Sequence, residues 1–286
     1  MTRSFVGAQN AFAYSPISQV CVDSVSHVTY VDALYEWDSS TSVEVCAAPP
    51  SPSPSASVAG DPHLSLAYGG QADFRGKHGK YYNFLSAPGV SMNIGTEESL
   101  FKLKKLTVNG TFVTIASIVL RTSLGEFLNL TYSADQLNEV GQSPHVINAT
   151  CRGERFTMGP SSKNRCDDIE ASIDWNTLTV LSGQWVMKVS GRPIYDRISG
   201  PHHRLDLSAF PSVKESEFGV EPHGLVGQSF DGTGVPRYGR LDQYPNLEVP
   251  GTFATSSMAE GAIAGDADDY LVDSKFSTAF KYSVFN

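Results

Sequence analysis

Apolar and polar residues alternate with a period of two along most of the chain from residue 60 to about residue 210. Successive side chains of a β-strand point to opposite faces, so this alternation is typical of strands buried on one face. Clusters of glycine, asparagine, aspartate and serine interrupt it, as turns do. The pattern predicts strands at residues 80–86, 89–95, 99–108, 111–120, 126–132, 145–150, 154–158, 169–175, 177–182, 184–190 and 203–208.

A series of short strands at this spacing predicts a mainly β fold, either an antiparallel β-sandwich or a flattened barrel. Turns are predicted at Asp174-Trp175-Asn176, Ser182-Gly183 and Asn109-Gly110. Because Asn-Gly is the dipeptide that two-residue hairpin turns prefer, strands 99–108 and 111–120 are expected to form a hairpin with Asn109 at its exposed tip.

The region opens with Gly-Asp-Pro-His at residues 60–63. Gly69 and Gly70 follow, and glycine adopts the positive φ angles of tight turns at little cost. Residues 81–85 then resemble a second, largely buried strand. The segment therefore predicts a β-hairpin that turns at the two glycines.

The chain after residue 250 has two further features. Residues 256–264 predict a short helix, since a serine can cap it and Glu260 falls in its first turn. The last eleven residues carry aromatic side chains that could dock a terminal segment on the core, namely Phe276, Phe280, Tyr282 and Phe285.

The composition suggests three parts. Residues 1–47 are interpreted as a small cysteine-containing β segment, the tail of an upstream module, with a disordered leader as the alternative. Residues 48–59 are rich in proline and serine and predict a semi-rigid linker of extended geometry. Residues 60–286 predict the β domain with its C-terminal extension.

Charge excludes two classes of partner. The chain of 286 residues has a formal net charge of −9 and scattered basic residues, which argues against nucleic acid and against an anionic membrane surface. It has no apolar run of membrane-spanning length. The first residues lack the apolar core of a signal peptide, so we expect a fragment of a longer secreted protein.

The four cysteines form two couples that are each local in sequence: Cys21 with Cys46, and Cys151 with Cys166. Four cysteines allow three connectivities, and local pairing needs the least rearrangement of the chain. Four free thiols in a cytosolic protein are the alternative. Asn109, Asn129 and Asn148 each begin a glycosylation sequon.

Two motifs resemble the ends of a von Willebrand factor type D domain. Residues 60–63 match its opening Gly-Asp-Pro-His, and residues 223–232, His-Gly-Leu-Val-Gly-Gln-Ser-Phe-Asp-Gly, resemble its closing motif. The similarity is greatest to cysteine-poor relatives such as plant root-cap proteins and the C-terminal region of inter-alpha-trypsin inhibitor heavy chains. The residues that carry it are Gly60, Gly69, Phe74, Gly76, His223, Gly224 and Gly227.

The resemblance implies that the two motifs meet in space, and it implies a calcium site. Asp231 and Gln228 are the candidate ligands, since Ca²⁺ prefers oxygen donors. Tyr68 stands where the family has an aspartate, and the additional Ser229 shifts the spacing of the closing loop. No other cofactor is expected.

Asp61, Pro62 and His63 form a second candidate site. In some relatives the Asp-Pro bond cleaves itself, with the aspartate attacking its own carbonyl and a histidine able to move the proton. The alternative is a rigid strand entry in which proline fixes φ. A zinc site among His63, His78, His202, His203 and His223 is a weaker hypothesis, because their spacing matches no zinc motif.

The sequence thus predicts a non-enzymatic structural or adhesive module, extracellular or on the cell surface. Its expected partners are other extracellular proteins, glycans or further copies of the chain. Two alternatives stay open: a self-processing module that cleaves at Asp61-Pro62, and a glycan- or calcium-binding β-sandwich with a deep cleft.

Overall fold

The computed structural model describes residues 54–138 and 147–286, and two short strands near the N-terminus. The chain divides into two units, Met1–Ser53 and Pro54–Asn286. In the first unit, β1 (Cys21–Val22) pairs with β2 (Val28–Tyr30) in antiparallel orientation. The predicted pairing of Cys21 with Cys46 lies outside the described residues.

The second unit is built of strands joined by turns. Its described strands are β3 (Ala56–Ala59), β4 (His63–Ser65), β5 (Gln71–Asp73), β6 (Lys80–Ala87), β7 (Val90–Leu103), β8 (Leu106–Arg121), β9 (Phe127–Ser133), β10 (Ile147–Cys151), β11 (Glu154–Met158), β12 (Lys163–Cys166), β13 (Ile169–Asp174), β14 (Thr177–Ser182), β15 (Trp185–Pro193), β16 (Arg197–Ser199), β17 (His203–Pro211), β18 (Gly251–Ala254) and β19 (Leu271–Val272).

These strands form two sheets that pack as a β-sandwich, which confirms the predicted fold class. In the described residues the first sheet has nine strands: β11-β10-β9-β8-β7-β6-β19 in order, with β16 beside β7 and β18 beside β8. The second has eight, in the order β12-β13-β14-β15-β17-β3-β4-β5. Strand pairs are antiparallel apart from β18 with β8.

The main core lies between the sheets. Alternate residues of strands such as β15 and β17 point into it, for example Val189 of β15, and Ile118 of β8 is buried in the same core. Trp185 is the largest of these side chains, and its ring contacts Phe218 and Phe230, which lie in the chain after β17. A smaller core around Phe101 and Phe112 fills one end of the first sheet.

The prediction of a hairpin turn at Asn109-Gly110 is wrong. Residues 90–103 form one continuous strand, β7, the chain turns at Lys104, whose φ is +55°, and β8 begins at Leu106, before the predicted turn. Asn109 pairs with Leu100 inside a ladder that runs from Leu103–Leu106 at the turn to Val90–Leu120. The hydrogen bonds of so long a ladder outweigh the local preference of one dipeptide.

The prediction that residues 60–86 form one hairpin names the wrong second strand. β4 turns through Ala67–Gly69 and pairs with β5, while β6 leaves to join the other sheet. The end of the predicted linker is also wrong, because residues 56–59 form β3 and pair with β17. Val58 is buried there, so the β domain begins inside the segment predicted to be a linker.

The helix predicted at residues 256–264 is not formed. Ala259 and Gly261 have φ of +60° and +87°, which an α-helix does not allow. The segment instead bridges to Phe74 at Met258, and the Ala259 amide donates to the carbonyl of Asp73 at the end of β5. It then turns, and the Ala262 amide donates to the carbonyl of Ala259. The described residues contain short 3-10 turns and no α-helix, and none of their helical segments is long and apolar enough to span a membrane.

The C-terminal segment docks as predicted. The rings of Phe280 and Tyr282 pack against the main core, and Phe285 is buried beside Phe127. The Asn93 amide donates to two carbonyls of this segment, at Lys275 and Ser277, with distances of 3.0 and 2.8 Å.

Candidate functional site

Asp61 and His63 belong to a compact cluster of titratable groups at one end of the second sheet. Asp61 lies in the turn between β3 and β4, and His63 begins β4. The His63 ring bridges two carboxylates: Nε2 lies 3.1 Å from Asp61 Oδ1, and Nδ1 lies 2.6 Å from Asp73 Oδ1. Asp73 faces His63 because the two residues are direct partners in the β4–β5 ladder.

Two residues of the 240–244 loop complete the cluster. The Tyr244 hydroxyl donates a hydrogen bond to Asp61 Oδ2, and the Asp242 amide donates to Asp73 Oδ2 at 2.8 Å. The Tyr244 ring is itself fixed against Phe253. Both cluster carboxylates are nearly inaccessible, with 13% of the Asp61 side chain and 6% of the Asp73 side chain exposed.

This environment keeps His63 protonated. The hydrogen bond to Asp61 is the largest influence and outweighs burial, and Asp73 adds to it, so the pKa of His63 rises from 6.5 to about 9. Burial and the hydrogen bond to Asp61 raise the pKa of Tyr244 above its ordinary range. At neutral pH the cluster therefore holds an imidazolium between the side chains of Asp61 and Asp73, beside a neutral phenol.

The cluster makes stability depend on pH. The folded state raises the pKa of His63, so its stabilisation is complete below pH 6.5 and is lost as pH rises through about 9. Such a shift corresponds to about 3 kcal/mol for a fully buried group. Because half of the His63 side chain is exposed, solvent screening reduces the expected contribution to about 1–2 kcal/mol.

Urea unfolding of wild type and His63→Gln measures this contribution. The difference between their unfolding free energies is expected to shrink by about 1–2 kcal/mol from pH 6.5 to above pH 9. His78→Gln, which removes a histidine outside the cluster, should follow the wild-type profile. A His63→Gln difference that is constant across this range would contradict the charged bridge.

The closing motif lies against residues 83–86 in the second half of β6. His223 exchanges both backbone hydrogen bonds with Ser86, at 2.7 Å each, and its ring stacks on Tyr282. Burial, with the nearby Arg237, lowers the pKa of His223. The Ala67 amide donates to Ser229 Oγ at 3.0 Å, so the chain four residues after the opening motif contacts the closing motif.

The motif glycines occupy tight positions. Gly60 has φ of +71° and its amide donates to Asp206, while Gly69 closes the turn before β5 with φ of +88°. Gly76 lies against Thr96, and Gly227 packs against Leu85.

The candidate calcium ligands are engaged with protein groups. Asp231 accepts hydrogen bonds from Thr233 and from the guanidinium of Arg237 at 2.8 Å. Burial alone would raise the pKa of Asp231, but these bonds outweigh it and lower the pKa. Gln228 is buried, and its amide oxygen accepts from the Ala264 amide at 2.9 Å. A bound cation at Asp231 would compete with the arginine.

Tyr68, at the family's aspartate position, donates its hydroxyl to Glu215. Across residues 54–138 and 147–286, His, Cys, Asp and Glu side chains form no group of three that could hold a metal ion. The zinc hypothesis therefore gains no support: His63 is in the cluster described above, His223 stacks on tyrosines, and His202 bonds to Arg197.

Cys151, Cys166 and the sequons at Asn129 and Asn148 lie on β9, β10 and β12. Cys151 and Cys166 form a disulfide, as predicted. The sequons at Asn129 and Asn148 are cross-strand neighbours on β9 and β10: Asn129 is opposite Thr150, and Asn148 is opposite Thr131. Asn109, predicted at a hairpin tip, is exposed within β8, where its side-chain oxygen accepts from Arg75 at 3.0 Å.

Comparison with models of protein families finds no match, and comparison with curated proteins finds none either. The resemblance to type D domains therefore depends on the motifs alone. The sequence singled out Asp61 and His63 but missed Asp73, Asp242 and Tyr244, which reach the cluster through the β4–β5 ladder and a distant loop.

Proposed function

We propose that the chain is an extracellular or cell-surface structural and adhesive module similar to a von Willebrand factor type D domain. The observation that carries the proposal is the disulfide between Cys151 and Cys166, which links the ends of β10 and β12 and so ties an edge of one sheet to the other. Structural disulfides persist in oxidising compartments outside the cytosol. The partners are other extracellular proteins, glycans or further copies of the chain.

Expression of the full chain behind a secretion signal tests this proposal. The secreted protein is expected to contain the Cys151–Cys166 link in a non-reducing peptide map. Beads coated with it should bind cell-wall or matrix glycoprotein, and beads coated with reduced, unfolded protein should not. Free thiols at both positions in the folded protein would contradict an extracellular role, and equal binding by both bead preparations would contradict adhesion.

The paired sequons provide a second readout in the same preparation. Asn148 is exposed and Asn129 is half-buried, so occupancy by N-glycan is expected to be higher at Asn148. Glycopeptide mass spectrometry measures both sites, with Asn148→Gln as the variant that should remove the larger share of glycan. Higher occupancy at Asn129 than at Asn148 would show that exposure in the folded sheet does not govern these sites.

A second candidate function is a single self-cleavage at Asp61-Pro62. It is favoured by one observation, the contact between the Asp61 carboxylate and the protonated His63 ring. An Asp61 carboxylate oxygen would attack the Asp61 carbonyl carbon and form a cyclic anhydride. The bond to the Pro62 nitrogen would break as His63 gives that nitrogen its proton, and water would then open the anhydride.

The hydrogen bond from Tyr244 opposes this step, because it stabilises the carboxylate in its resting position. Tyr244→Phe is therefore expected to accelerate cleavage, whereas Asp61→Asn abolishes it and His63→Gln slows it. Intact mass spectrometry at mildly acidic and neutral pH should show fragments 1–61 and 62–286. A single uncleaved mass for both wild type and Tyr244→Phe would eliminate self-processing.

A further inference from the structure

A cavity of about 680 Å³ opens at the rim of the sandwich, away from the groups described above. It lies where β7, β8 and β9 meet the start of β17 and the residues before it. Its volume falls in the range typical of small-molecule sites. The side chains that decide its chemistry are Glu97, Thr114, Asp135, His202 and His203.

His203 points into this cavity from an unusual position. It occupies an inward-facing site of β17, on the same face as Leu205 and Leu207, and only 9% of it is exposed. No hydrogen bond joins its ring to another side chain or backbone group in the described part of the chain, and its ring neighbour is His202. Its ring nitrogens are not among the fully buried polar atoms that lack a partner, so they keep accessible surface at the cavity and are available to a ligand.

A β-bulge shapes the opposite wall. Gly95 pairs with Ile115 and Thr96 with Val113, which leaves Thr114 as the additional residue of β8. Bulges redirect side chains and are common beside functional sites.

The redirected Thr114 is 4% exposed and donates its hydroxyl to Glu97 Oε1 at 2.8 Å. The bond fixes the Glu97 carboxylate at the cavity wall, and its second oxygen accepts no hydrogen bond from the described residues.

The polar groups and the apolar surface together indicate the ligand. The carboxylates of Glu97 and Asp135 accept hydrogen bonds, and the His203 imidazole can both donate and accept. His202 offers Nδ1, since its Nε2 bonds to Arg197 at 3.1 Å. Ile115 and Leu137 provide an apolar wall for C–H groups. This combination suits the vicinal hydroxyls and the C–H face of a pyranose ring, while Glu97 and Asp135 repel phosphate, sulfate and sugar acids.

We propose that this cavity binds a neutral saccharide of one or two pyranose units. This inference rests on the adhesive role proposed above and names the class of ligand that the module would bind in that role. The binding itself is a property of the folded chain and is measured separately from secretion and from the disulfide.

The probes are the methyl glycosides of glucose, galactose and mannose and the corresponding disaccharides, tested by saturation-transfer NMR on the full chain. At least one neutral probe is expected to bind with a dissociation constant of about 10 mM or lower. Glucuronate should bind at least about tenfold more weakly. Binding of choline in preference to every sugar, or no binding of any neutral probe, overturns the proposal.

Variants locate the site. His203→Phe keeps the volume of the ring and Glu97→Ala removes the carboxylate, so each is expected to weaken binding by about tenfold or more. Glu126→Gln changes an exposed carboxylate in the turn before β9 and should leave affinity unchanged. Equal affinity in wild type, His203→Phe and Glu97→Ala would place the sugar elsewhere and refute the site.

A measurement on the wild type keeps the proposal testable if these variants fail to fold. The ring ¹³C and ¹⁵N resonances of His203 are expected to shift on addition of the bound sugar, while those of His78 stay in place. Unchanged His203 resonances at saturating sugar would refute the site. Failure of this test leaves the secretion and disulfide results standing, so it is distinguishable from failure of the adhesive role.

Discussion

Replacement of Gly224 by alanine is expected to destabilise the sandwich by about 3 kcal/mol. Gly224 has φ of +105°, a conformation that costs a residue with a Cβ about 1–2 kcal/mol. A Cβ there would lie 2.6 Å from Asn83 Oδ1 and 2.7 Å from the Phe84 carbonyl oxygen. Because the second of these is backbone of β6, relief requires movement of the strand, with a further cost of about 1–3 kcal/mol.

The same neighbours show what that movement would disturb. The amides of Leu225 and Val226 donate to the carbonyls of Asn83 and Phe84, each at 3.0 Å. Gln228 in turn donates to the Gly224 carbonyl at 3.0 Å. Glycine at this position of the closing motif therefore allows the loop to lie directly on β6.

Gly232 in the same motif provides a matched control. Its φ is +68°, and a Cβ there would meet nothing within 4 Å, so Gly232→Ala carries the backbone strain without the collision. Urea unfolding should show a loss of about 1 kcal/mol for this variant, against about 3 kcal/mol for Gly224→Ala. Equal losses in the two variants would mean that the contact with β6 has no energetic consequence.

The sequence predicts strands best where pairing is local. Strands β13, β14 and β15 lie within three residues of the predicted 169–175, 177–182 and 184–190, because two-residue turns join them and one face of each is buried. The long β7–β8 pair was mispredicted for the opposite reason. Its register is set by a ladder fourteen residues long, so the Asn109-Gly110 turn signal is overridden.

The site residues divide in the same way. Asp61 and His63 could be found because one short motif contains both, but their partner Tyr244 is 183 residues from Asp61, and no local pattern connects them. The sequence does contain a signal for His203. Its alternation with Leu205 and Leu207 places a polar ring on the buried face of a strand, which is the pattern that marks an unusual core position.

Replacement of both Cys151 and Cys166 by serine is expected to lower the free energy of unfolding by about 3 kcal/mol. The cysteines are 15 residues apart, and their bond ties the end of β10 in one sheet to the end of β12 in the other. In the chain-entropy account, loss of this loop closure stabilises the unfolded ensemble. Urea unfolding of the double variant measures the loss, with Cys21 and Cys46 kept in both proteins.

The slope of the unfolding free energy against urea distinguishes the loss of the crosslink from a loss of core packing. An unfolded chain without the crosslink exposes more surface, so the slope of free energy against urea should rise in the double variant. Cys166 is only 3% exposed, and an effect of packing alone would lower the stability with the slope unchanged. The single variant Cys151→Ser, which also opens the loop, should lose nearly as much as the double variant. A loss below about 1 kcal/mol in both would show that pairing of β10, β11, β12 and β13 holds this edge without the covalent bond.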